Sequence, residues 1–185
     1  MPDPETKVQY LILVDENDQP TGKLEKLETH RLGLLHRAFS VFIFNRQGEL
    51  LLQQRSDEKY HSPGLWTNTC CSHPEYGEEL TEAVKRRLYA EMGMIADTKF
   101  AFTFLYKATL DNQLTEHELD HVFIGVSDVL PKPDPSEARD WKYMSPESIS
   151  IQLEQYPEHF TVWFRICFKE VVRFHQQLFR TIYGV

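Results

Sequence analysis

Only three of the 185 residues are cysteine, Cys70, Cys71 and Cys167, and two of these are adjacent. An odd count with a neighbouring pair is not a disulfide framework, and without a Cys-x-x-Cys pair thiol redox chemistry is a poor fit. Free thiols of this kind point to a reducing compartment, the cytosol. Basic charge is also scarce: 20 Lys and Arg against 28 Asp and Glu give a formal net charge of -8. Nucleic-acid binders carry a basic footprint, so nucleic acid is not the expected partner. The same deficit sets a condition on any anionic substrate. The global field repels it, and a local group of Lys, Arg and metal ions must reverse the sign. Long apolar runs are lacking; the stretch 160–168 is broken by Arg165, so no membrane span is expected. The polar, acidic start Met-Pro-Asp-Pro-Glu is unlike a signal peptide. Gly and Pro are few and scattered, which excludes a low-complexity linker. What is present, 41% hydrophobic and 26% charged residues, is globular composition for a single domain over 1–185.

Hydrophobic patterning divides the chain into strands and helices. Strands are expected at Val8–Asp15, Ala38–Asn45, Leu50–Gln54, Leu65–Cys71, Lys99–Leu110, Leu114–Ser127 and Arg139–Met144. Glu16–Gly22 reads as a turn, Asn45–Gly48 as a hairpin tip and Pro131–Pro135 as an exposed loop. The clearest helix is Glu79–Met92, where Leu80, Val84 and Leu88 form an apolar row and Gly93 stands at the C-terminal cap. Ser145-Pro146-Glu147 opens another helix, and a long terminal helix runs from about Glu158. Hairpins outnumber β-α-β signals, so the class is α/β in the broad sense (α+β), a mixed or largely antiparallel sheet flanked by helices.

Several short patterns carry possible chemistry. Cys71 and His73 are two apart and would share a face of a strand. A thiol near an imidazole suits nucleophilic or acid/base work, although an isolated pair is more often a buried thiol beside a surface histidine. Glu116 and Glu118 are likewise two apart, projecting their carboxylates from one face as metal ligands or as a solvated edge. His30 and His36 flank Gly33, whose break in a helix lets both imidazoles converge. With His73 they give three imidazoles for two carboxylates, an inventory for Zn, Mn or Fe. Arg87 and Glu91 are at i and i+4 of the helix, and alone read as a solvated ion pair. Lys26, Arg55 and Lys59 are cations near turns. The remaining histidines, His61, His117, His121, His159 and His175, read as ordinary surface or core residues.

In order along the chain these fragments resemble the type 1 isopentenyl-diphosphate isomerases. The resemblance rests on Leu34-Leu35-His36-Arg37-Ala38-Phe39-Ser40, Gln53-Gln54-Arg55-Ser56, Trp66 to Pro74 with Asn68-Thr69-Cys70-Cys71-Ser72-His73, and Glu116-x-Glu118. Glu78, Arg86, Leu88, Glu91, Gly93 and Met94 also match the Nudix box, whereas Ser72, Arg87 and Ala90 replace its first Gly and two of its Glu residues. The resemblance therefore implies a Nudix-like fold but puts diphosphate hydrolysis in doubt. It implies metal ligation by His30, His36, His73, Glu116 and Glu118, holding one tight divalent ion, Mn2+ or Zn2+. Glu91 is implied as the side chain for a second ion, Mg2+, that meets the substrate's diphosphate. Cys71, Glu118 and Tyr106 are implied as the catalytic groups, and Lys26, Arg55, Lys59, Arg87 and Trp163 as substrate contacts. The implied reaction is an allylic proton shift on an isoprenoid diphosphate through a tertiary carbocation, with no oligomer required. The rivals are a Nudix hydrolase of a nucleoside diphosphate derivative, which needs the full carboxylate set, and a non-catalytic metal-binding module, which needs neither Cys71 nor the cations.

Overall fold

In the computed structural model, residues 8–183 are described, so the acidic Met-Pro-Asp-Pro-Glu start lies outside the described residues. The strands are β1 (Tyr10–Val14), β2 (Pro20–Glu25), β3 (His36–Phe44), β4 (Leu50–Arg55), β5 (Trp66–Thr67), β6 (Cys70–Ser72), β7 (Thr98–Thr109), β8 (Thr115–Val126) and β9 (Ala138–Met144). The helices are α1 (Lys26–Leu32), α2 (Leu80–Met92), α3 (Pro146–Gln155) and α4 (Val162–Tyr183).

The organising strand is β3, buried along nearly its whole length. Period-two alternation sends Phe39, Val41 and Ile43 to one face and Phe42 and Phe44 to the other. A strand apolar on both faces belongs at the centre of a covered sheet. It runs parallel to β8, from His36 opposite Glu118 to Phe44 opposite Val126, and antiparallel to β6, with Ser40 opposite Cys71. β8 carries β7 antiparallel on its far side, and β4 carries β9. The sheet is therefore mixed. On the Val41 face α2 contributes Ala83, Val84, Leu88 and Met92. On the Phe42 face α4 contributes Trp163, Phe164, Cys167, Phe168 and Val171. Fully burying such side chains stabilises by roughly 1.5–3 kcal/mol each, which is why both helices dock on the sheet. Among the described residues no helix is long and apolar enough to cross a membrane.

Most elements fall where the patterning puts them, and the departures have local causes. The expected strand Leu65–Cys71 is split into β5 and β6. Between them side chains replace ladder bonds: Asn68 donates to the carbonyls of Val41 and Cys70 (3.2 and 2.6 Å), and Thr69 Oγ1 accepts from Ile43 N–H while donating to the Leu51 carbonyl (2.9 and 2.7 Å). The turn after β1 is shorter than expected, because β2 begins at Pro20 opposite Val14. The terminal helix starts at Val162, since Pro157–His159 forms a separate 3-10 turn. α1 was not foreseen. The Glu25 carboxylate caps it by accepting from the N–H groups of Leu27 and Glu28, both at 2.9 Å. Gly33 ends it at φ 61°, which is the break expected between His30 and His36.

Candidate active site and metal centre

Three short-range decisions of the backbone bring the imidazoles together. α1 delivers His30, Gly33 reverses the chain, and His36 opens β3. His73 follows directly on β6, next but one to Cys71. Their ring centroids lie 5.0 Å (His30–His36), 5.1 Å (His36–His73) and 5.9 Å (His30–His73) apart. From β8, Glu116 and Glu118 project from the same face, as the spacing of two requires. His30 Nε2 is 3.1 Å from Glu116 Oε2, and His73 Nε2 is 2.9 Å from Glu118 Oε1. One ligand atom from each of His30, His36, His73 and Glu116 falls within 4.8 Å of the others.

This donor set fits a divalent ion. His30 Nδ1 faces the Lys26 carbonyl at 2.6 Å and His36 Nδ1 the Leu34 carbonyl at 2.9 Å. Each carbonyl accepts the Nδ1 proton, which fixes the tautomer and turns the Nε2 lone pair inward. His36 Nε2 is buried with no hydrogen-bond partner, and it stands 3.7 Å from Glu116 and 3.5 Å from Glu118. Burial holds His73 down to about 3, so it is a neutral, ligand-competent imidazole. Burial and the neighbouring Glu118 charge raise the Glu116 carboxyl. Two buried carboxylates that face the same imidazole cannot both stay charged cheaply without a cation.

Above this buried cluster opens a small, partly enclosed cleft. Cys71, Tyr106, Glu118 and Trp163 line it, and so do all four cations singled out from the sequence, Lys26, Arg55, Lys59 and Arg87, together with His73 and Glu91. His30, His36 and Glu116 are not among its lining residues. Tyr106 Oη donates to Glu118 Oε2 at 2.7 Å. Burial pushes the Cys71 thiol well up. Trp163 is fixed by its Nε1–H to Asn68 Oδ1 (3.2 Å), and the Arg55 guanidinium carbon stands 5.4 Å from its ring centre. Arg55 is itself tied to the carbonyls of Ser62 and His61 (3.1 and 3.0 Å). Arg87 donates to Glu91 Oε1 at 2.8 Å as the i, i+4 spacing requires, while its neighbour Arg86 turns to Glu78. Cys70 points into the opposite apolar cluster with α2.

Sequence reasoning gave no role to several residues of this cleft, four of which meet charged or hydroxyl side chains in or beside it. His61 is buried with Nε2 3.3 Å from Glu116 Oε1, a core histidine whose carboxylate partner the sequence did not point to; burial holds it neutral, at about 2. Glu137 bonds both Lys59 and Arg87. Gln53 donates to Glu91 Oε2 at 3.1 Å. Asp120 continues the carboxylate ladder of β8 and accepts from Ser40 Oγ at 2.7 Å. Asp120 had a readable signal, the period of two after Glu116 and Glu118, and Gln53 stood in one of the family-like fragments with no role of its own. His61 and Glu137 are brought in by folding.

The NUDIX domain family matches residues 34–164. An isopentenyl-diphosphate Delta-isomerase of Pectobacterium atrosepticum is 51% identical over 90% of this chain and 93% of its own. One of Serratia proteamaculans is 46% identical over 88% and 91%. Among solved structures, a Deinococcus radiodurans protein overlays with a TM-score of 0.73 at 20% identity, covering 89% of this chain and 98% of the other. A MutT protein of Methanosarcina mazei gives 0.63 at 23%, covering 75% and 94%; at such identities the likeness is one of fold. By domain match and by identity over nine-tenths of its length, the chain belongs to the Nudix family and, within it, to the isopentenyl-diphosphate Delta-isomerases.

Proposed function

We propose that this chain, acting as a single domain, interconverts isopentenyl diphosphate and dimethylallyl diphosphate by moving protons across the cleft. The observation that carries the reading is the opening of Cys71 and the hydrogen-bonded Tyr106–Glu118 pair onto one cleft that also holds Lys26, Arg55, Lys59 and Arg87. One proton is added to the C=C bond and another leaves the far carbon, so an acid and a base must both reach a five-carbon unit. Cys71 and Glu118 fill these roles from the two strands that flank β3. Tyr106 orients or relays a proton on Glu118. The raised thiol supports Cys71 as a group that holds its proton until substrate is bound.

The substrate's strong handle is its diphosphate. Binding that group to the four cations fixes the small tail against the acid and base and answers the repulsion from a net charge of -8. The developing tertiary cation needs shelter from water, and the buried indole of Trp163 offers its face, worth ~2 kcal/mol when desolvated. His30, His36, His73, Glu116 and Glu118 would hold a tightly bound Mn2+ or Zn2+, and Glu91 a Mg2+. Bound there, such ions would supply positive charge that orders the carboxylates and neutralises the diphosphate. Three free thiols support a cytosolic setting, and no oligomer is required.

The test is a proton-NMR time course with purified protein, isopentenyl diphosphate and Mg2+ in deuterated water, beside a chelator-stripped control. The expected result is dimethylallyl diphosphate carrying solvent deuterium, abolished by stripping and restored by metal. Absence of isomer, with phosphate released from a nucleoside diphosphate sugar in a parallel tube, would move the chain to the hydrolases.

A further inference from the structure

The cleft contains a carboxylate that no motif announced. Glu137 lies at the end of the segment between β8 and β9, and its two oxygens are divided between two cations. Oε2 accepts from Lys59 Nζ and Oε1 from Arg87 Nη2, the latter at 3.0 Å. Its backbone takes part as well: the Glu137 carbonyl accepts from Ser56 N–H at 3.0 Å, at the start of the loop that carries Lys59. The segment before it is clamped to the end of α2, with Lys132 N–H on the Met92 carbonyl (2.7 Å) and Asp134 N–H on the Glu91 carbonyl (2.9 Å). Glu137 thus joins two parts of the chain, the loop after β4 and helix α2, that supply neighbouring cations to one cleft.

Two like charges brought to the same partly buried wall repel each other and swing apart unless an anion stands between them. Glu91 does not bridge them, since it takes Arg87 and Gln53 but not Lys59. Glu137 is the carboxylate that meets both. It leaves donors over on each side, because an ammonium has three and a guanidinium five. We infer that Glu137 is a positioning residue for substrate, holding Lys59 and Arg87 at a fixed separation so that their remaining N–H groups form one seat for a diphosphate. It does not touch the reacting carbons. The inference rests on the reading of Lys59 and Arg87 as diphosphate contacts.

Glutamine at this position keeps the shape but offers only one acceptor, and its NH2 group would be turned towards a cation. In Glu137→Gln the expected result is a KM for isopentenyl diphosphate raised about tenfold, the size of one charge-assisted hydrogen bond, with kcat at saturation little changed. Titration calorimetry with inorganic diphosphate and Mg2+ should show the same weakening. Glu137→Asp retains the charge but is one methylene short of spanning both cations, so its KM should fall between the two; it also serves if the glutamine variant does not fold. A KM that is unchanged, or a diphosphate affinity that rises, would overturn the inference, the second because Glu137 would then be competing with substrate for the cations. Lys59→Met and Arg87→Met separate the two levels. If both weaken diphosphate binding while Glu137→Gln does not, only the positioning role fails. If neither does, the seat itself has been assigned to the wrong cations.

Discussion

Cys70 and Cys71 are adjacent in the chain, yet β6 sends them to opposite faces of the sheet. Cys70 joins Val84 and Leu88 of α2 in one buried cluster, whereas Cys71 lines the cleft with Tyr106 and Glu118. Replacing Cys71 by Ala should lower kcat on the order of 100- to 10,000-fold, the usual contribution of a general acid or base, with KM little changed. Cys70→Ala should remain active, because the thiol lies on the α2 side of the sheet and does not line the cleft. Parallel steady-state assays of the two variants decide the matter: an active Cys71→Ala enzyme, or a dead Cys70→Ala enzyme that still folds, would show the wrong thiol has been chosen.

At the scale of elements, the cleft depends on how α2 ends. Gly93 adopts φ 61° and gives its N–H to the Tyr89 carbonyl, the left-handed cap that glycine adopts without strain. It also lets the next segment come close, since a Cβ there would lie 2.6 Å from the Lys132 carbonyl oxygen. The helix stop and the path of the loop that carries Glu137 are one feature. Gly93→Ala should therefore destabilise the fold by roughly 1–3 kcal/mol, combining the backbone penalty with the clash. Urea denaturation would show a lower midpoint at unchanged slope; a midpoint equal to wild type would mean that the loop yields freely.

Across the whole molecule, α4 is locked to the sheet partly through a histidine. His175 stacks on Phe44 of β3 with ring centres 3.6 Å apart, and burial holds it at about 4. Its folded value is below the unfolded one of about 6.5, so the unfolded chain binds the extra proton. Stability is thus full above pH 6.5 and falls as pH drops through the window between the two values. Between pH 7.5 and 5 the loss from this residue is about 2 kcal/mol. His175→Phe keeps the stack and removes the titration. Denaturation of both proteins at the two pH values should show a loss in wild type that exceeds the variant's by that amount, and equal losses would sink the account.

The sequence by itself determined the continuous burial of β3, the helix Leu80–Met92 with its glycine stop, and the groups that lie a few residues apart on one element. Cys71 with His73, Glu116 with Glu118, and Arg87 with Glu91 were legible because strand and helix periods fix which side chains share a face. The convergence of His30 with His36 was legible only as a possibility opened by Gly33. Tertiary structure decided what depends on distant segments meeting: which face receives α4, why Asn68 and Thr69 replace ladder bonds between β5 and β6, and which charged groups pair inside the cleft. His61 reaches Glu116 across 55 residues and Glu137 reaches Lys59 across 78. No local period links such positions, so their roles are set by the packing of loops against the sheet.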